Sequence, residues 1–170
     1  MFVEVEAVQT EFVSLAAQAC QELFSAYGVT LERTSERDTD EPGFLLAMIT
    51  FLGANVRGTC SLAVTEAPLA QSVPVGHDLG DWIGELSNQL VGRMKIKLAR
   101  LDVDIAMATP AVLRRAQLQF PLAGTQPFGA MFRSPPGGNA VVWLEVVVAP
   151  DFAFGVAEEE PCSEGDVLLF

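Results

Sequence analysis

Residues 81–110 (DWIGELSNQLVGRMKIKLARLDVDIAMATP) contain the side chains whose types and spacing best suit chemistry. Asp81, Glu85 and Asn88 follow one another at spacings of four and three residues, which places them on one face of an α-helix. A carboxylate can pair with a cation, whereas a carboxamide donates and accepts hydrogen bonds without carrying charge. Gly92 lies one helical turn beyond Asn88 and leaves a flat spot where another backbone can approach. The spacing therefore predicts an interaction surface on this helix.

This face would be a poor choice for a helix selected only for stability, because Gly lowers helix propensity by about 1 kcal/mol relative to Ala. The opposite face is an apolar stripe at helical spacing, made of Ile83, Leu86, Leu90, Met94, Leu98 and Leu101. A strand is expected after the helix, and Pro110 then ends or bends that strand. The alternative interpretation is a solvated face with ordinary polar residues, since Glu-x-x-Asn alone is a common pattern.

The whole chain has the size and composition of one globular domain. Its 170 residues are 50% apolar, which is enough for a substantial core. The net charge of -12 repels phosphate backbones and anionic lipids, so neither nucleic acid nor a membrane is expected as a partner. The N-terminal residues MFVEVEAVQTEF carry acids where a signal peptide carries basic residues. We therefore expect a cytoplasmic protein.

Cysteine and histidine give little basis for a metal site or for hydrolytic catalysis. Cys20, Cys60 and Cys162 are widely spaced without a CxxC pair, which suits a reducing compartment and argues against a zinc cluster. His77 is the single histidine and is expected to be exposed or to cap a helix. The sequence has neither a GxxxxGKS/T loop nor a GxGxxG motif after a strand. We expect no metal and no cofactor of the protein's own.

Helix-like and strand-like segments alternate along the chain. Amphipathic helices are predicted over residues 10–27, with Thr10 as N-cap and Gly28 as C-cap, and over 78–100. Strands are predicted at 29–34, 43–53, 55–65, 103–108, 125–134 and 139–149, and the second and third, like the last two, form a hairpin. Residues 66–76 form a connector that contains one helical turn, and 114–122 are ambiguous. This pattern predicts an α+β domain whose two long helices cover a largely antiparallel sheet.

Two further expectations concern assembly and the C-terminal tail. The segment VVWLEVVV and the hairpin strands would be hazardous if they were exposed, so an edge-to-edge homodimer is expected. We expect residues 1–150 to form the domain and 151–170 an acidic tail, since that tail carries six acids and no Lys or Arg. The tail is expected to be solvated. Alternatively, its apolar end VLLF docks in a groove of a partner or adds a strand to the sheet.

The helix and the proline together resemble the signature of the CheC, CheX and FliY family of chemotaxis phosphatases, which dephosphorylate CheY-type response regulators. That signature is an Asp or Ser, then Glu-x-x-Asn, then a Pro further along the chain. Asp81, Glu85, Asn88 and Pro110 fit it, with twenty-one residues between the Asn and the Pro. The segment ITFLGANVRGTCSLAV also resembles the family's hairpin, and the similarity covers residues 1–150. The chain looks most like CheX, because the first predicted helix lacks the asparagine that the first CheC helix carries.

The resemblance implies a CheX-like fold and hydrolysis of the aspartyl phosphate of a CheY-type response regulator. It assigns Asn88 to positioning the attacking water and Glu85 to pairing with the regulator's lysine. Asp81 would add a polar contact, Gly92 would permit close docking, and Pro110 is part of the structural motif. Mg²⁺ is expected on the partner regulator, and CheX-like proteins pair into dimers through their sheets.

Two other functions remain open at this point. The first is a non-catalytic CheX-like module that binds a response regulator or another signalling protein. The second is a small-molecule-binding α+β domain, which would have an enclosed apolar pocket and no use for Glu85 or Asn88.

Overall fold

A computed structural model describes residues 2–35, 43–116, 129–135 and 137–155, which form three helices and seven strands. In chain order these elements are α1 (Phe2–Ala26), β1 (Glu32–Thr34), β2 (Phe44–Leu52), β3 (Val56–Thr65), α2 (Glu66–Ser72), α3 (Leu79–Ala99), β4 (Ala106–Met107), β5 (Ala111–Ala116), β6 (Gly129–Arg133) and β7 (Asn139–Val148). The predictions for 117–122, for 125–128 and for most of the tail lie outside the described residues. Within the described chain, the predicted α+β architecture is confirmed.

The strands form one antiparallel sheet in the order β1-β6-β7-β3-β2-β4, and β5 also pairs with β2. The predicted hairpin of β2 and β3 is present, with Phe44 opposite Thr65 and Leu52 opposite Arg57 at its two ends. β7, which contains VVWLEVVV, lies between β3 and β6 and pairs with both. The reason given for an edge-to-edge dimer is therefore wrong for this segment, because its neighbours already occupy both of its sides.

The main core lies between the sheet and the two long helices, α1 and α3. Alternate residues of β3 contribute to it: Val56, Cys60, Leu62 and Val64 are all buried. Gly58 shares this face of the strand. A β-carbon at position 58 would collide with the ring of Phe51 and with the carbonyl oxygen of Glu145 on β7. Glycine at position 58 thus leaves room for the Phe51 ring beside this strand.

Helix α1 begins earlier than predicted and ends where predicted. The expected N-cap, Thr10, lies inside the helix, where its hydroxyl donates to the carbonyl oxygen of Glu6 at 2.7 Å. A threonine hydroxyl makes this i−4 bond as readily as a cap bond, and therefore Thr10 does not mark the start. At the other end, Gly28 has φ of 76° and the amide of Val29 donates to the carbonyl of Phe24 at 3.0 Å. This is the C-cap predicted at Gly28.

Helix α3 matches the prediction to within one residue at each end. Its N-cap is Asp78, whose Oδ1 accepts hydrogen bonds from the amides of Gly80 at 2.9 Å and Asp81 at 3.2 Å. His77, just before this cap, is exposed, as expected. Five residues of the predicted apolar stripe are buried, namely Ile83, Leu86, Leu90, Met94 and Leu98. None of the helices in the described part of the chain has both the length and the apolar character needed to cross a membrane.

The segment between β3 and α3 contains more helix than predicted. Helix α2 has seven residues, and Pro68 is tolerated because the first helical turn has no partner for its missing N–H. The hydroxyl of Ser72 accepts a hydrogen bond from Trp82 Nε1 at 2.9 Å and donates to the carbonyl of Leu69 at 3.0 Å. Trp82 on α3 is therefore anchored to α2.

The chain continues to pack on the core beyond residue 150. The rings of Phe152 and Phe154 lie 6.1 and 5.5 Å, centroid to centroid, from the ring of Phe12 on α1. The amide of Gly155 also donates to the carbonyl of Leu101 at 2.8 Å. The first residues of the segment assigned to the acidic tail are thus part of the folded domain.

Candidate functional site

An open groove lies between the first half of α3 and the segment that leads into β5. Its volume is about 410 Å³, and its lining residues are Gly80, Asp81, Gly84, Glu85, Asn88, Thr109, Pro110 and Val112. The sequence analysis named four of these residues: Asp81, Glu85, Asn88 and Pro110. The fold therefore brings together on one surface all four residues of the predicted signature.

Helix α3 presents these side chains outward because they lie opposite its core stripe. Asp81 and Glu85 are exposed, and Asn88 is half-buried at the side of the groove. Leu86 and Leu90, on the opposite side of the same helix, are fully buried. The helical periodicity alone thus directs Asn88 to a surface that a visiting molecule can reach.

The side-chain amide of Asn88 forms no hydrogen bond with any residue in the described chain. An amide with no internal partner keeps both donor hydrogens and both acceptor lone pairs available for water or for a ligand. Because Asn88 is only half-buried, water can satisfy these groups without a desolvation penalty. The carboxamide is therefore free to bind a molecule that enters the groove.

The carboxylate of Glu85 is held from one side. Its Oε1 accepts a hydrogen bond from Nε2 of Gln89 at 3.0 Å, and Oε1 of Gln89 accepts one from the Tyr27 hydroxyl at 2.9 Å. Neither Gln89 nor Tyr27 was predicted from the sequence to belong to the site. The spacing of Glu85 and Gln89 by four residues was a usable signal, because such pairs are neighbours on a helix. Nothing in the sequence indicated Tyr27, which lies 62 positions from Gln89.

Pro110 lies at the junction between β4 and β5, which both pair with β2. Immediately before it, the amide of Ala108 donates to the carbonyl of Thr50 at 2.9 Å, and β5 begins at Ala111 directly after it. Proline has no N–H to continue the ladder, which explains why the pairing with β2 is interrupted here. The interruption places Thr109 and Pro110 against the N-terminal half of α3, where they form the second wall of the groove.

Gly84 is a third residue that was not predicted from the sequence. It is buried, and a β-carbon there would lie 3.2 Å from Cγ2 of Val112 and 3.9 Å from Cγ of Pro110. The missing side chain allows the β5 segment to approach α3 closely at the groove. A glycine in the middle of a helical pattern costs about 1 kcal/mol relative to Ala and often marks such an approach. The glycine at position 84 was therefore a feature of the sequence from which this close approach could have been predicted.

Gly92 does not line the groove and lies one turn further along the same helix face. A β-carbon at position 92 would meet no atom within 4 Å among the described residues, so the predicted flat spot is open. Nothing within the described fold uses this space, in contrast to the space at Gly84. In the same part of the chain, no cluster of three or more His, Cys, Asp or Glu side chains has an arrangement that could hold a metal ion.

Several solved structures of bacterial chemotaxis proteins have a fold similar to that of this chain. The CheX protein of Vibrio vulnificus has a TM-score of 0.63 to this chain at 21% sequence identity, covering 81% of this chain and 98% of its own. A CheC-like protein of Shewanella oneidensis has a TM-score of 0.59 at 20% sequence identity, covering 79% of this chain and 97% of its own. A chain of the CheX-CheY-BeF₃-Mg²⁺ complex from Borrelia burgdorferi has a TM-score of 0.50 at 10% sequence identity, covering 79% of this chain and 94% of its own.

These similarities show that the chain has the CheX fold, so the fold implied by the signature residues is confirmed. Neither a protein-family model nor a curated protein matches the sequence.

Proposed function

We propose that this protein is a CheX-like member of the CheC, CheX and FliY family and hydrolyses the aspartyl phosphate of a CheY-type response regulator. One observation supports this most strongly. On a CheX fold, the carboxamide of Asn88, which has no hydrogen-bond partner among the described residues, and the carboxylate of Glu85 line one open groove, opposite Pro110. The proposed setting is the cytoplasm.

In the proposed reaction, a water molecule attacks the phosphorus atom in line with the aspartyl oxygen. The bond between phosphorus and that oxygen breaks, and the products are inorganic phosphate and the free carboxylate of the regulator. Because phosphoryl transfer depends on positioning more than on covalent help, the principal requirement is a correctly held water. Asn88 meets this requirement because a neutral amide can bind the water without repelling the phosphoryl oxygens.

Glu85 anchors the helix to the regulator in this proposal. Its carboxylate is exposed at the groove, within one helical turn of Asn88, and can form a charge-assisted hydrogen bond with a lysine ammonium. Asp81, one turn earlier and also exposed, adds a polar contact with the same partner surface. Gly92 allows the partner's backbone to approach α3 beyond Asn88, because its position is open.

The regulator supplies the metal ion in this reaction. We propose that Mg²⁺ is bound by the regulator, next to its aspartyl phosphate, and that this protein needs no cofactor of its own. The fold neighbour from Borrelia burgdorferi supports this arrangement, since it is a complex of CheX with CheY, BeF₃ and Mg²⁺.

A homodimer remains part of the proposal, but on different strands. β7 cannot provide the pairing edge, because β3 and β6 flank it. In the described sheet, β1 ends one side, while β4 and β5 end the other. Sedimentation at low micromolar concentration tests the dimer, and a strictly monomeric species would exclude it.

The activity is tested by following phosphate loss from candidate CheY-type regulators phosphorylated with acetyl phosphate. The wild-type protein is expected to accelerate the loss, and Asn88→Ala and Glu85→Ala are each expected to remove most of the acceleration while remaining folded. Matched controls are Asn55→Ala, in the exposed turn between β2 and β3, and Glu11→Ala, on the exposed side of α1. Binding of the phosphorylated regulator without acceleration by the wild type would support the non-catalytic module instead.

A further inference from the structure

Two successive hydrogen bonds connect the groove to the end of helix α1. The Tyr27 hydroxyl donates to Oε1 of Gln89 at 2.9 Å, and Nε2 of Gln89 donates to Oε1 of Glu85 at 3.0 Å. Tyr27 and Gln89 are half-buried, whereas Glu85 is exposed. The connection therefore runs from a partly enclosed phenol to a carboxylate at the protein surface.

The direction of these hydrogen bonds follows from the chemistry of the three groups. An ionised carboxylate can only accept, so Gln89 must present its NH₂ group to Glu85. The carbonyl oxygen of Gln89 then faces Tyr27 and can only accept, so the phenol must donate. At each of the two contacts, one group donates the hydrogen bond and the other accepts it. This consistency fixes the orientation of the Gln89 amide, and no rotation by 180° preserves both bonds.

Tyr27 is itself held in place by the packing around it. It follows the last residue of α1, where the Gly28 cap ends the helix. The Tyr27 ring meets the edge of the Trp82 ring at a centroid distance of 5.0 Å and an interplanar angle of 88°. Trp82 is in turn hydrogen-bonded to Ser72 of α2. The phenol thus has a position that three helices determine.

We infer that Gln89 and Tyr27 are positioning residues that hold the Glu85 carboxylate in the orientation needed to bind the regulator. This inference rests on the proposed function. An exposed glutamate side chain samples many rotamers, and binding a partner would otherwise require these rotamers to be restricted at the moment of contact. Gln89 occupies Oε1 of Glu85, and no described residue bonds to Oε2, which stays available for the partner's ammonium group.

Binding of the regulator and the chemical step depend on different residues in this scheme. Glu85 contacts the regulator, whereas Asn88 holds the water. Loss of the Gln89 contact should therefore raise the KM for the phosphorylated regulator and leave kcat close to the wild-type value. Gln89→Leu is expected to raise KM about three- to tenfold, since preorganising one side chain has an effect of this size. Tyr27→Phe keeps the ring on Trp82 and should raise KM by a smaller factor, about twofold, because Gln89 still contacts Glu85.

A double-mutant cycle tests whether Gln89 acts through Glu85. The kinetic constants are measured for wild type, Gln89→Leu, Glu85→Ala and the double variant, with a regulator whose dephosphorylation the wild type accelerates. We expect Gln89→Leu to raise KM in the wild-type background and to have no further effect in the Glu85→Ala background. The matched control is Gln21→Leu, because Gln21 donates to the carbonyl of Leu31 at 2.9 Å and is not part of the hydrogen bonds that join Tyr27, Gln89 and Glu85.

The outcomes distinguish this inference from the proposed function. Equal effects of Gln89→Leu in both backgrounds, or a wild-type KM in Gln89→Leu, would overturn the positioning role while Asn88→Ala still establishes the phosphatase. A wild-type rate in Asn88→Ala would reject the proposed function itself. A thermal unfolding midpoint for Gln89→Leu that equals the wild-type value, together with the raised KM, supports positioning over a structural defect.

Discussion

Gly84 of α3 and Val112 of β5 lie so close that a β-carbon at position 84 would be 3.2 Å from Cγ2 of Val112. This contact sets the distance between the two walls of the groove, because Pro110 and Val112 belong to one wall and Gly84 to the other. Gly92, on the same helix, has no such neighbour among the described residues. The two glycines therefore have different roles. Alanine substitutions at the two positions should differ in their effects on stability and activity.

Gly84→Ala should move Val112 away from α3 and thereby disturb the groove. Alanine gains about 1 kcal/mol of helix propensity, and the crowding with Val112 should offset much of this gain. We expect the free energy of unfolding to change by less than about 0.5 kcal/mol and the dephosphorylation rate to fall severalfold. Urea denaturation and phosphate release measure the two quantities. A full gain in stability with unchanged activity would show that the Gly84 contact does not shape the groove.

Gly92→Ala should have opposite effects on stability and activity. A methyl group there meets open space, so alanine should raise the free energy of unfolding by about 0.5–1 kcal/mol. The same methyl group projects from the surface that the regulator is proposed to contact. The rate of phosphate loss at subsaturating regulator should therefore fall. Higher stability with a wild-type rate would place Gly92 outside the docking surface.

Much of α3 could be predicted from the sequence, because its apolar spacing and the Asp78 cap are local features. That Asn88 and Pro110 line the same groove could not be derived from spacing, since it depends on β4 and β5 both pairing with β2. The resemblance to a known signature named both residues but did not predict that they share a groove. Tyr27 was missed for the same reason, because its contact with Gln89 is made only once α1 and α3 are packed together.

Asp78→Ala should destabilise the fold through α3. The Asp78 carboxylate caps the amides of Gly80 and Asp81, and loss of such a cap costs about 0.5–2 kcal/mol. Asp104→Ala is the matched control: Asp104 forms an ion pair with Lys95 at 3.3 Å, with side chains 86% and 44% exposed. Exposed pairs of this kind contribute about 0.2–1 kcal/mol. Equal urea midpoints for Asp78→Ala and the wild type would argue against the cap.

Stability should decrease at high pH because of the buried thiols. Burial raises the pKa of Cys60 from 9.0 to about 12. Burial, and to a lesser extent the neighbouring Cys60, also raises the pKa of Cys20. Above about pH 9 the unfolded chain loses thiol protons that the folded chain retains, so the free energy of unfolding should fall as pH rises from about 9 to about 12. Urea denaturation at pH 8 and pH 10 measures this fall.

Cys60→Ala provides the comparison for that experiment. The variant should be less stable at pH 8, because it leaves a cavity, but its stability should depend less steeply on pH. An identical pH dependence in wild type and Cys60→Ala would show that the Cys60 thiol does not contribute to the fall.

The central claim is that the carboxamide of Asn88 holds the attacking water, and single-turnover kinetics at saturating protein test it most directly. At saturation, binding no longer limits the rate, so phosphate loss from the regulator reports the chemical step. We expect Asn88→Ala to reduce the saturated rate by about 10²-fold or more, as misplacement of a reacting group does, while Glu85→Ala recovers much of its rate. A saturated rate for Asn88→Ala equal to that of the wild type would contradict the account.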